Sequence, residues 1–343
     1  MAPTTLRRVV LHGVEDVRLE QAPAPVPGPG EVLLAPEVAL TGGTVLKAVR
    51  RGGHVRLGAP PMVLGHEGVG RIVALGHGVA GWRVGERVLP GPSAPCGACS
   101  ACRRGRTTLC SAACWWSGLY AGLALLPAAL VARNLHRVPE GLASEVAALA
   151  DNVASVLHGL ERTPPRAGER ALVLGSGPLG LLWTAFLARA GCEVTLCSRR
   201  GTQVPLGVGM GATRVLALAQ LGAHERFELV VEAAGAPEAW QEALARTAPG
   251  ARVNLFGGVP AGSQLHVDAT RLHYEELLVT AAFHYAPAQL DEALAWLAPG
   301  GAGASLAPRL LGEEVALEAL PGWLQAACRA PAPAKAIVRP QQA

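Results

Sequence analysis

Hydrophobic residues in the second half of the chain fall into short apolar runs separated by helical stretches. Residues 171–174 form an apolar run typical of a buried strand, and 181–190 predict a helix directly after it. Further strands are predicted at 192–198, 228–234 and 251–256, a helix at 237–248, and an edge strand at 277–283. Strands that alternate with helices indicate an α/β fold with a parallel, doubly wound sheet.

The first half has a different pattern. Short alternating segments at 6–10, 14–19, 31–40, 68–75 and 82–89 are separated by glycine-containing turns and predict a compact β-rich domain. A helix at 146–160 leads into the α/β region, and a tail with a helix at 289–297 and a strand at 336–338 is expected to fold back onto the first domain. We therefore predict one domain from 1–152 and 287–343, and a second from 153–286.

The turn after the strand at 171–174 has the spacing G-x-G-x-x-G, with Gly175, Gly177 and Gly180, and Pro178 and Leu179 open the helix. In a dinucleotide-binding turn, the first glycine permits a tight bend and the second a close approach to pyrophosphate. The third lets helix and strand pack closely. The free N–H groups of the helix N-terminus then bind the phosphates. The strand before and the helix after make this motif specific.

The end of the next strand bears on the choice of nicotinamide cofactor. NAD-binding proteins commonly carry an acid there that accepts the ribose hydroxyls, but this strand ends in Ser198, Arg199 and Arg200. A hydroxyl and two guanidinium groups suit the 2′-phosphate of NADP(H). Two solvated surface arginines are the alternative, so we predict NADP(H) in preference to NAD(H).

Composition excludes several classes of protein. The net charge of the 343-residue chain is only +4 and no basic cluster is long, so we expect no nucleic-acid partner. No signal peptide is evident, and the longest apolar run, 119–132, is too short to span a bilayer. We expect a cytoplasmic protein that does not bind a membrane, whose cysteines are metal ligands rather than disulfides.

Four cysteines lie close together in the segment of about 91–114. Cys96, Cys99, Cys102 and Cys110 have the spacing C-x2-C-x2-C-x7-C, and four thiolates this close can surround one Zn²⁺ tetrahedrally. An iron–sulfur cluster is the alternative, but the last gap is longer than in the usual ferredoxin motif. Because protein ligands take all four positions, we predict a closed, structural zinc site.

Two further polar groups are candidates for a second metal site. His66 and Glu67 stand between glycines just before a predicted strand, where they could be metal ligands in a tight bend or part of an exposed polar loop. Asp151 lies on the helix that leads into the α/β region. Three ligands and one open position are typical of catalytic zinc.

Together these motifs resemble the zinc-type medium-chain alcohol and polyol dehydrogenases over nearly the whole chain. The matching pieces, in order, are 65–70, 84–88, the four-cysteine lobe and 175–180. The resemblance implies a GroES-like catalytic domain interrupted by a Rossmann domain, with the active site in the cleft between them. It also implies hydride transfer between a substrate carbinol carbon and nicotinamide, a small-molecule substrate, and a homodimer or homotetramer.

The resemblance also shows where this chain departs from the family. The family's Cys-Gly-Ser/Thr-Asp segment is replaced, so that Gly42 stands at the position of the zinc-binding cysteine and Val45 at that of the aspartate supporting the zinc-bound histidine. A shift of one residue would place Thr41 at the cysteine position instead, which also supplies no thiolate. A glutamate near the site in polyol-type members is replaced by Asp151. Thr44, which in relatives passes the alcohol proton outward, and His66 remain as candidate catalytic residues.

These substitutions leave more than one function open. His66, Glu67 and Asp151 could hold a weakened catalytic zinc in an NADP(H)-dependent oxidoreductase of alcohols, polyols or carbonyls. Without the metal, the protein could reduce activated double bonds, as the quinone and enoyl reductases of the superfamily do. It could also be a non-catalytic NADP(H)-binding protein. Metal content and turnover distinguish the three.

Overall fold

The computed structural model describes residues 5–54, 56–198, 204–330 and 334–341, so Arg199 and Arg200 lie outside the described residues. The chain divides into two compact units. The first combines Met1–Asp151 with Ala286–Ala343, and the second is Asn152–Tyr285. Within the described residues, none of the helices combines the length and apolar character needed to cross a membrane.

The first unit is rich in strands. Its strands before the second unit are β1 (Thr5–Gly13), β2 (Asp16–Pro23), β3 (Val32–Leu40), β4 (Met62–Val63), β5 (Gly68–Leu75), β6 (Arg87–Pro90), β7 (Ser93–Ala94), β8 (Cys114–Trp115), β9 (Ala124–Leu126) and β10 (Leu135–Arg137). Its helices there are α1 (Gly43–Arg51), α2 (Ser100–Arg103), α3 (Ala128–Arg133) and α4 (Ser144–Ala147), with a 3₁₀ turn at Thr107–Leu109. Helix α5 (Ala150–Arg162) then leads into the second unit.

The second unit contains the predicted alternation of strands and helices. Its strands are β11 (Arg170–Leu174), β12 (Glu193–Ser198), β13 (Arg214–Ala217), β14 (Phe227–Glu232), β15 (Thr247–Leu255) and β16 (Leu278–Ala281). Its helices are α6 (Pro178–Arg189), α7 (Val204–Gly209), α8 (Pro237–Ala245) and α9 (Ala269–Tyr274), with a 3₁₀ turn at Leu218–Gln220.

The chain then returns to the first unit. This part contains α10 (Pro287–Leu297), a 3₁₀ turn at Ala307–Leu310, β17 (Leu311–Val315), α11 (Leu320–Arg329) and β18 (Lys335–Val338). As predicted, the tail folds back: β18 pairs antiparallel with β3, with Ile337 opposite Leu40. This pairing inserts the last strand into a seven-stranded sheet of order β10-β6-β5-β3-β18-β17, with β9 also on β3. The fully buried Leu34, Ile72 and Leu126 belong to its core.

The sheet of the second unit has the order β13-β12-β11-β14-β15-β16, and every pair in it is parallel. This is the 3-2-1-4-5-6 order of a dinucleotide-binding Rossmann sheet. Leu172, Val230 and Val253 are completely buried in its core, because helices cover both faces of such sheets and select apolar strands. The predicted α/β fold class, with one β-rich domain and one domain built on a parallel sheet, is confirmed.

Several predicted elements were wrong in extent, and three of them have a clear local cause. The predicted strand 82–89 is only β6, because the chain turns at Val84 and Gly85, where φ is 90°. The predicted helix 237–248 ends at Ala245, since β15 begins at Thr247 and Pro249 disfavours helix in the residue before it. The predicted helix 146–160 is divided into α4 and α5 by a turn at residues 148–149, which places Asp151 in the first turn of α5.

Candidate functional site

The four-cysteine segment folds into a knuckle in which the sulfur atoms of Cys96, Cys99, Cys102 and Cys110 all lie within 4.8 Å of one another. The Sγ of Cys96 accepts the backbone N–H of Cys99 at 3.3 Å, and the Sγ of Cys110 accepts that of Cys96 at 3.3 Å. Amide donors of this kind stabilise thiolates. Four converging sulfurs fit one tetrahedral Zn²⁺, as the spacing predicts.

The electrostatics of the knuckle support a cation at its centre. Hydrogen bonds from the backbone N–H of Cys102 and then of Ser111 lower the pKa of Cys99 to about 5. Burial of the thiolate form raises the pKa of Cys102 to about 12, so without a cation these thiols cannot all ionise near neutral pH. A bound Zn²⁺ would deprotonate the coordinating thiols outright. All eight cysteines lie in the described part of the chain, and each is a free thiol.

A second cluster forms around His66 and Glu67, just before β5, where both side chains are buried. Gly65 sets their direction, because its φ of +93° is left-handed and a Cβ there would lie 2.5 Å from the Tyr120 ring. The candidate ligand atoms of His66, Glu67 and Asp151 lie within 4.8 Å of one another. The structure thus excludes the exposed-loop alternative and brings all three predicted residues together.

The imidazole of His66 is buried, and neighbouring polar groups contact only one side of the ring. Burial lowers its pKa to about 4, and the nearby Lys335 charge acts in the same direction while Glu67 opposes it. Its Nε2 lies 4.0 Å from Glu67 Oε1. Its Nδ1 has no hydrogen-bond partner among the described residues. Metal-bound histidines usually donate this second nitrogen's proton to a supporting group.

Val45 stands at the position where the resembling family has the aspartate that supports this histidine. Its side chain is 1% exposed and packs in the apolar core of the first unit. Gly42 precedes helix α1 as its N-cap and contributes no ligand atom. Thr44 lies half-buried in the first turn of the same helix. With no thiolate and no support for the imidazole, the remaining donor set fits a catalytic zinc poorly.

Lys335 completes this cluster, and the sequence reasoning missed it. Its Nζ donates to Glu67 Oε2 at 2.5 Å and to the carbonyl oxygen of Thr41 at 2.9 Å, and the Lys335 and Glu67 side chains are each 4% exposed. Strand β18 supplies Lys335 beside the end of β3. The only available sequence signal was that the chain has just two lysines, of which this is one.

The dinucleotide turn lies at the carboxyl end of β11. Gly175 has a φ of +113°, and a Cβ there would lie 2.8 Å from the backbone nitrogen of Ala234. A Cβ on Gly180 would lie 1.8 Å from the Gly175 carbonyl oxygen, so close packing requires glycine. At Gly177 a Cβ would meet nothing, which leaves this side open for a pyrophosphate. Pro178 begins α6, followed by Leu179.

Two more groups lie at this end of the sheet. Ser198 is the last residue of β12, as predicted, and the predicted partners Arg199 and Arg200 lie outside the described residues. Glu232 ends β14, and its Oε1 accepts the backbone N–H of Ala234 and Gly235, each at 2.8 Å. Burial raises the pKa of this carboxyl group. Glu232 thereby holds the loop that Gly175 packs against. The amino-acid pattern around Glu232 did not indicate this role.

The comparisons with known proteins agree with this arrangement. The alcohol dehydrogenase GroES-like domain matches residues 28–140, and the glucose dehydrogenase C-terminus matches residues 146–283. The L-threonine 3-dehydrogenase of Stenotrophomonas maltophilia (strain K279a) is 32% identical over 274 residues, which cover 74% of this chain and 77% of that protein. The chain belongs to the zinc-type medium-chain alcohol and polyol dehydrogenase family.

Solved structures extend the likeness to the whole chain. A Sinorhizobium meliloti 1021 protein assigned to the zinc-binding dehydrogenases and bound to NADP has a TM-score of 0.85 at 24% identity, covering 98% of this chain and 100% of its own. Acetophenone reductase from Geotrichum candidum NBRC 4597, in complex with NAD, has a TM-score of 0.85 at 23% identity, covering 99% and 98%. At these identities the likeness concerns the fold.

Proposed function

We propose that the protein is an NADP(H)-dependent oxidoreductase that transfers a hydride between nicotinamide and a small alcohol, polyol or carbonyl compound, without a tightly held catalytic zinc. The observation that carries the proposal is the glycine turn on a 3-2-1-4-5-6 sheet, in a chain 32% identical to an L-threonine 3-dehydrogenase. A cytoplasmic location is part of the same proposal, because four of the cysteines are arranged as metal ligands rather than for disulfides.

The chain's own residues have separable roles in this proposal. The open backbone at Gly177 and the N-terminus of α6 bind the pyrophosphate through N–H groups and the helix dipole. When bound, an oxidised nicotinamide would supply the hydride acceptor for a carbinol carbon, and a reduced nicotinamide the hydride donor for a carbonyl carbon. Thr44, in the first turn of α1, relays the proton between the substrate hydroxyl and solvent by accepting one proton as it gives up its own, the role its position has in the resembling family. His66 is the second candidate for hydrogen bonding to the substrate oxygen.

The preference for NADP(H) rests on the absence of an acid at the end of β12, where Ser198 precedes Arg199 and Arg200. Replacing both arginines by alanine should weaken NADPH binding by about tenfold or more while changing NADH binding little, because each guanidinium can pair with the 2′-phosphate. Fluorescence titration with both cofactors measures this. Arg83→Ala/Arg104→Ala, which removes the same charge from two exposed arginines of the first unit, is the control.

Equal affinity of the unmodified protein for NADPH and NADH at moderate ionic strength would refute the NADP(H) preference. Turnover tests the rest of the proposal. Panels of secondary alcohols, β-hydroxy amino acids, polyols and the matching carbonyl compounds should reveal cofactor-dependent hydride transfer.

A second candidate function is supported by a separate observation. Gly42 and Val45 together remove the thiolate and the support of His66, as expected in a protein that kept the cofactor fold and lost alcohol chemistry. A zinc-free reductase of quinones or enoyl compounds, or a non-catalytic NADP(H)-binding protein, would carry the same substitutions. Turnover of quinones alone favours the former. Tight NADPH binding with no turnover on any panel favours the latter.

A further inference from the structure

Positive charge is concentrated on helix α1 and on the loop that follows it. No aspartate or glutamate occurs in residues 38–66, which we call the basic segment, and its strongly basic side chains are Lys47, Arg50, Arg51 and Arg56. Lys47 lies three residues after Thr44 on α1, so these two side chains share one face of the helix. An ammonium group therefore lies on the same helix face as the residue proposed to relay the substrate proton.

The loop after α1 places a guanidinium group over an aromatic ring. The Nδ1 atom of His54 accepts the backbone N–H groups of Arg56 and Leu57, each at 3.3 Å, which fixes the bend of the loop. The guanidinium of Arg56 lies 5.7 Å from the centroid of the Trp115 ring, within the range of a cation–π contact. Stacking uses the face of a guanidinium whereas oxyanions bind at its edge, so one arginine can do both.

The chain just after Trp115 runs alongside the bend that carries His66. Two backbone N–H groups and one hydroxyl of residues 117–119 donate to the carbonyl oxygen of Gly65, at 2.7–3.1 Å. Because Gly65 immediately precedes His66, these hydrogen bonds bring the Trp115 strand and the loop stacked on it to the side of the candidate catalytic histidine.

Electrostatic effects agree with this placement. Burial, and then the positive charges of Arg51, Lys47 and Arg56, lower the pKa of His54. Burial is also the main reason that the pKa of His66 is lowered to about 4, and the charge of His54 acts in the same direction. The basic segment and His66 therefore lie within electrostatic reach of each other.

The charges of the neighbouring elements do not cancel the positive excess. The turn before β2 contributes Glu15, which pairs with Arg329 of α11 at 3.9 Å. The bend before β5 contributes Glu67, which pairs with Lys335 of β18. Helix α5 contributes the carboxylate of Asp151. Together with the four strongly basic side chains of the basic segment, these groups comprise six cations and three carboxylates.

We infer that the substrate carries an oxyanion, a carboxylate or phosphate group, which Arg56 and Lys47 bind beside the reacting carbon. A guanidinium pairs with either group through two N–H donors, and an ammonium group adds a point charge. The inference rests on the proposed function and deepens it, because it names the substrate class of the same site. A cation bound at His66, Glu67 and Asp151 would add to the positive excess, so the inference is independent of whether that cluster holds a metal.

Isothermal titration of the NADPH-saturated protein compares ligands that differ by their negative charge. 3-Hydroxybutanoate is compared with its amide to test for a carboxylate, and glycerol 3-phosphate with glycerol to test for a phosphate. NADPH cannot oxidise a hydroxyl group, so binding is measured without turnover. At least one anion should bind about tenfold or more tightly than its neutral counterpart, because hydrogen bonds to charged groups are the stronger ones. Added salt should reduce this advantage.

Arg56→Gln should remove most of the advantage of the anion and leave the affinity for the neutral ligand unchanged, and Lys47→Met should cause a loss of the same kind. Arg56→Lys keeps the charge and should retain part of the advantage. Arg137→Gln is the matched control, since Arg137 also stacks on a tryptophan of the first unit, 4.4 Å from the Trp82 centroid. In turnover, the Arg56→Gln loss should appear in KM for anionic substrates rather than in kcat.

Three results would overturn the inference: equal affinity for the charged and neutral members of both pairs, an anion advantage that Arg56→Gln leaves intact, or an equal loss in Arg137→Gln. Because Arg56 is exposed, its substitution should keep the fold, which circular dichroism checks. The absence of hydride transfer on every substrate panel would refute the proposed function. The binding comparison would still decide whether the oxyanion site exists.

Discussion

At the scale of single residues, Gly42 and Gly43 are adjacent glycines with opposite surroundings. A side chain at Gly42 would press on the Glu67 carboxylate and the Lys335 ammonium, whereas a Cβ at Gly43 meets nothing within 4 Å. Gly42 is buried and Gly43 is exposed at the start of α1. The two positions therefore provide a matched pair for testing whether the ion pair determines the local packing.

Gly42→Ala should lower the free energy of unfolding by about 1–3 kcal/mol, because the added methyl group overpacks a site that can yield only by moving the buried ion pair. Gly43→Ala should leave the stability unchanged or raise it slightly, since alanine is the better helix former. Urea denaturation of both variants measures the difference. Equal stability of the two variants would show that the Glu67 carboxylate moves aside at little cost.

At the scale of elements, the four-cysteine knuckle has almost no core of its own. No residue of α2 or of the 3₁₀ turn Thr107–Leu109 is buried. Segments this short cannot bury enough apolar surface to be ordered alone, so we expect a bound metal to hold them. Its exposed loop contains Arg103, Arg104 and Arg106, and these arginines are cleavage sites for trypsin.

Cys99→Ser should release about one equivalent of zinc and lower the midpoint of thermal unfolding, because it removes one of four converging ligands. Trypsin should then cleave the loop at its arginines much faster than in the unmodified protein. Cys114→Ser is the matched control, since Cys114 lies just after the knuckle in β8 and outside the four-sulfur cluster. A zinc-free, trypsin-resistant unmodified protein with four reactive thiols would contradict the structural-zinc assignment.

At the scale of the whole molecule, the parallel sheet ends in an exposed edge. Strand β16 is the last strand of the sheet, and its Leu278 is 53% exposed, with Phe283 45% and Tyr274 79% exposed nearby. Unpaired edge strands with apolar side chains pair readily with another chain. We propose that a second copy of the chain covers this edge, which gives the homodimer or homotetramer expected from the sequence.

Leu278→Lys/Phe283→Lys should convert the assembly to monomers, because two lysines on the edge repel their copies and remain hydrated. Light scattering coupled to gel filtration measures the mass, and circular dichroism checks that the fold is kept. Val84→Lys is the control, since Val84 is 62% exposed and belongs to the first unit rather than to this sheet. A monomeric unmodified protein, or a double variant that keeps its multimeric mass, would contradict the proposed interface.

The features that could be predicted from the sequence all depend on how many residues separate their members along the chain. The knuckle ligands and the glycine turn each lie within a short stretch of chain, so the number of residues between them restricts the geometry they can form. The strand-helix alternation of the second unit likewise follows from apolar periodicity, and its sheet is confirmed. Element ends were less predictable, because a turn such as that at Gly85 or the start of β15 competes with the local pattern.

Residue types at short, fixed separations were enough to predict the fold class, the two candidate metal clusters and the glycine turn. The contact of Lys335 with Glu67, 268 positions away, and the role of Glu232 in holding the loop that faces Gly175 became visible only in the folded chain. Strand pairing brings such distant residues together. When β18 pairs with β3, it brings an ammonium group to a carboxylate that neither segment's own pattern identifies.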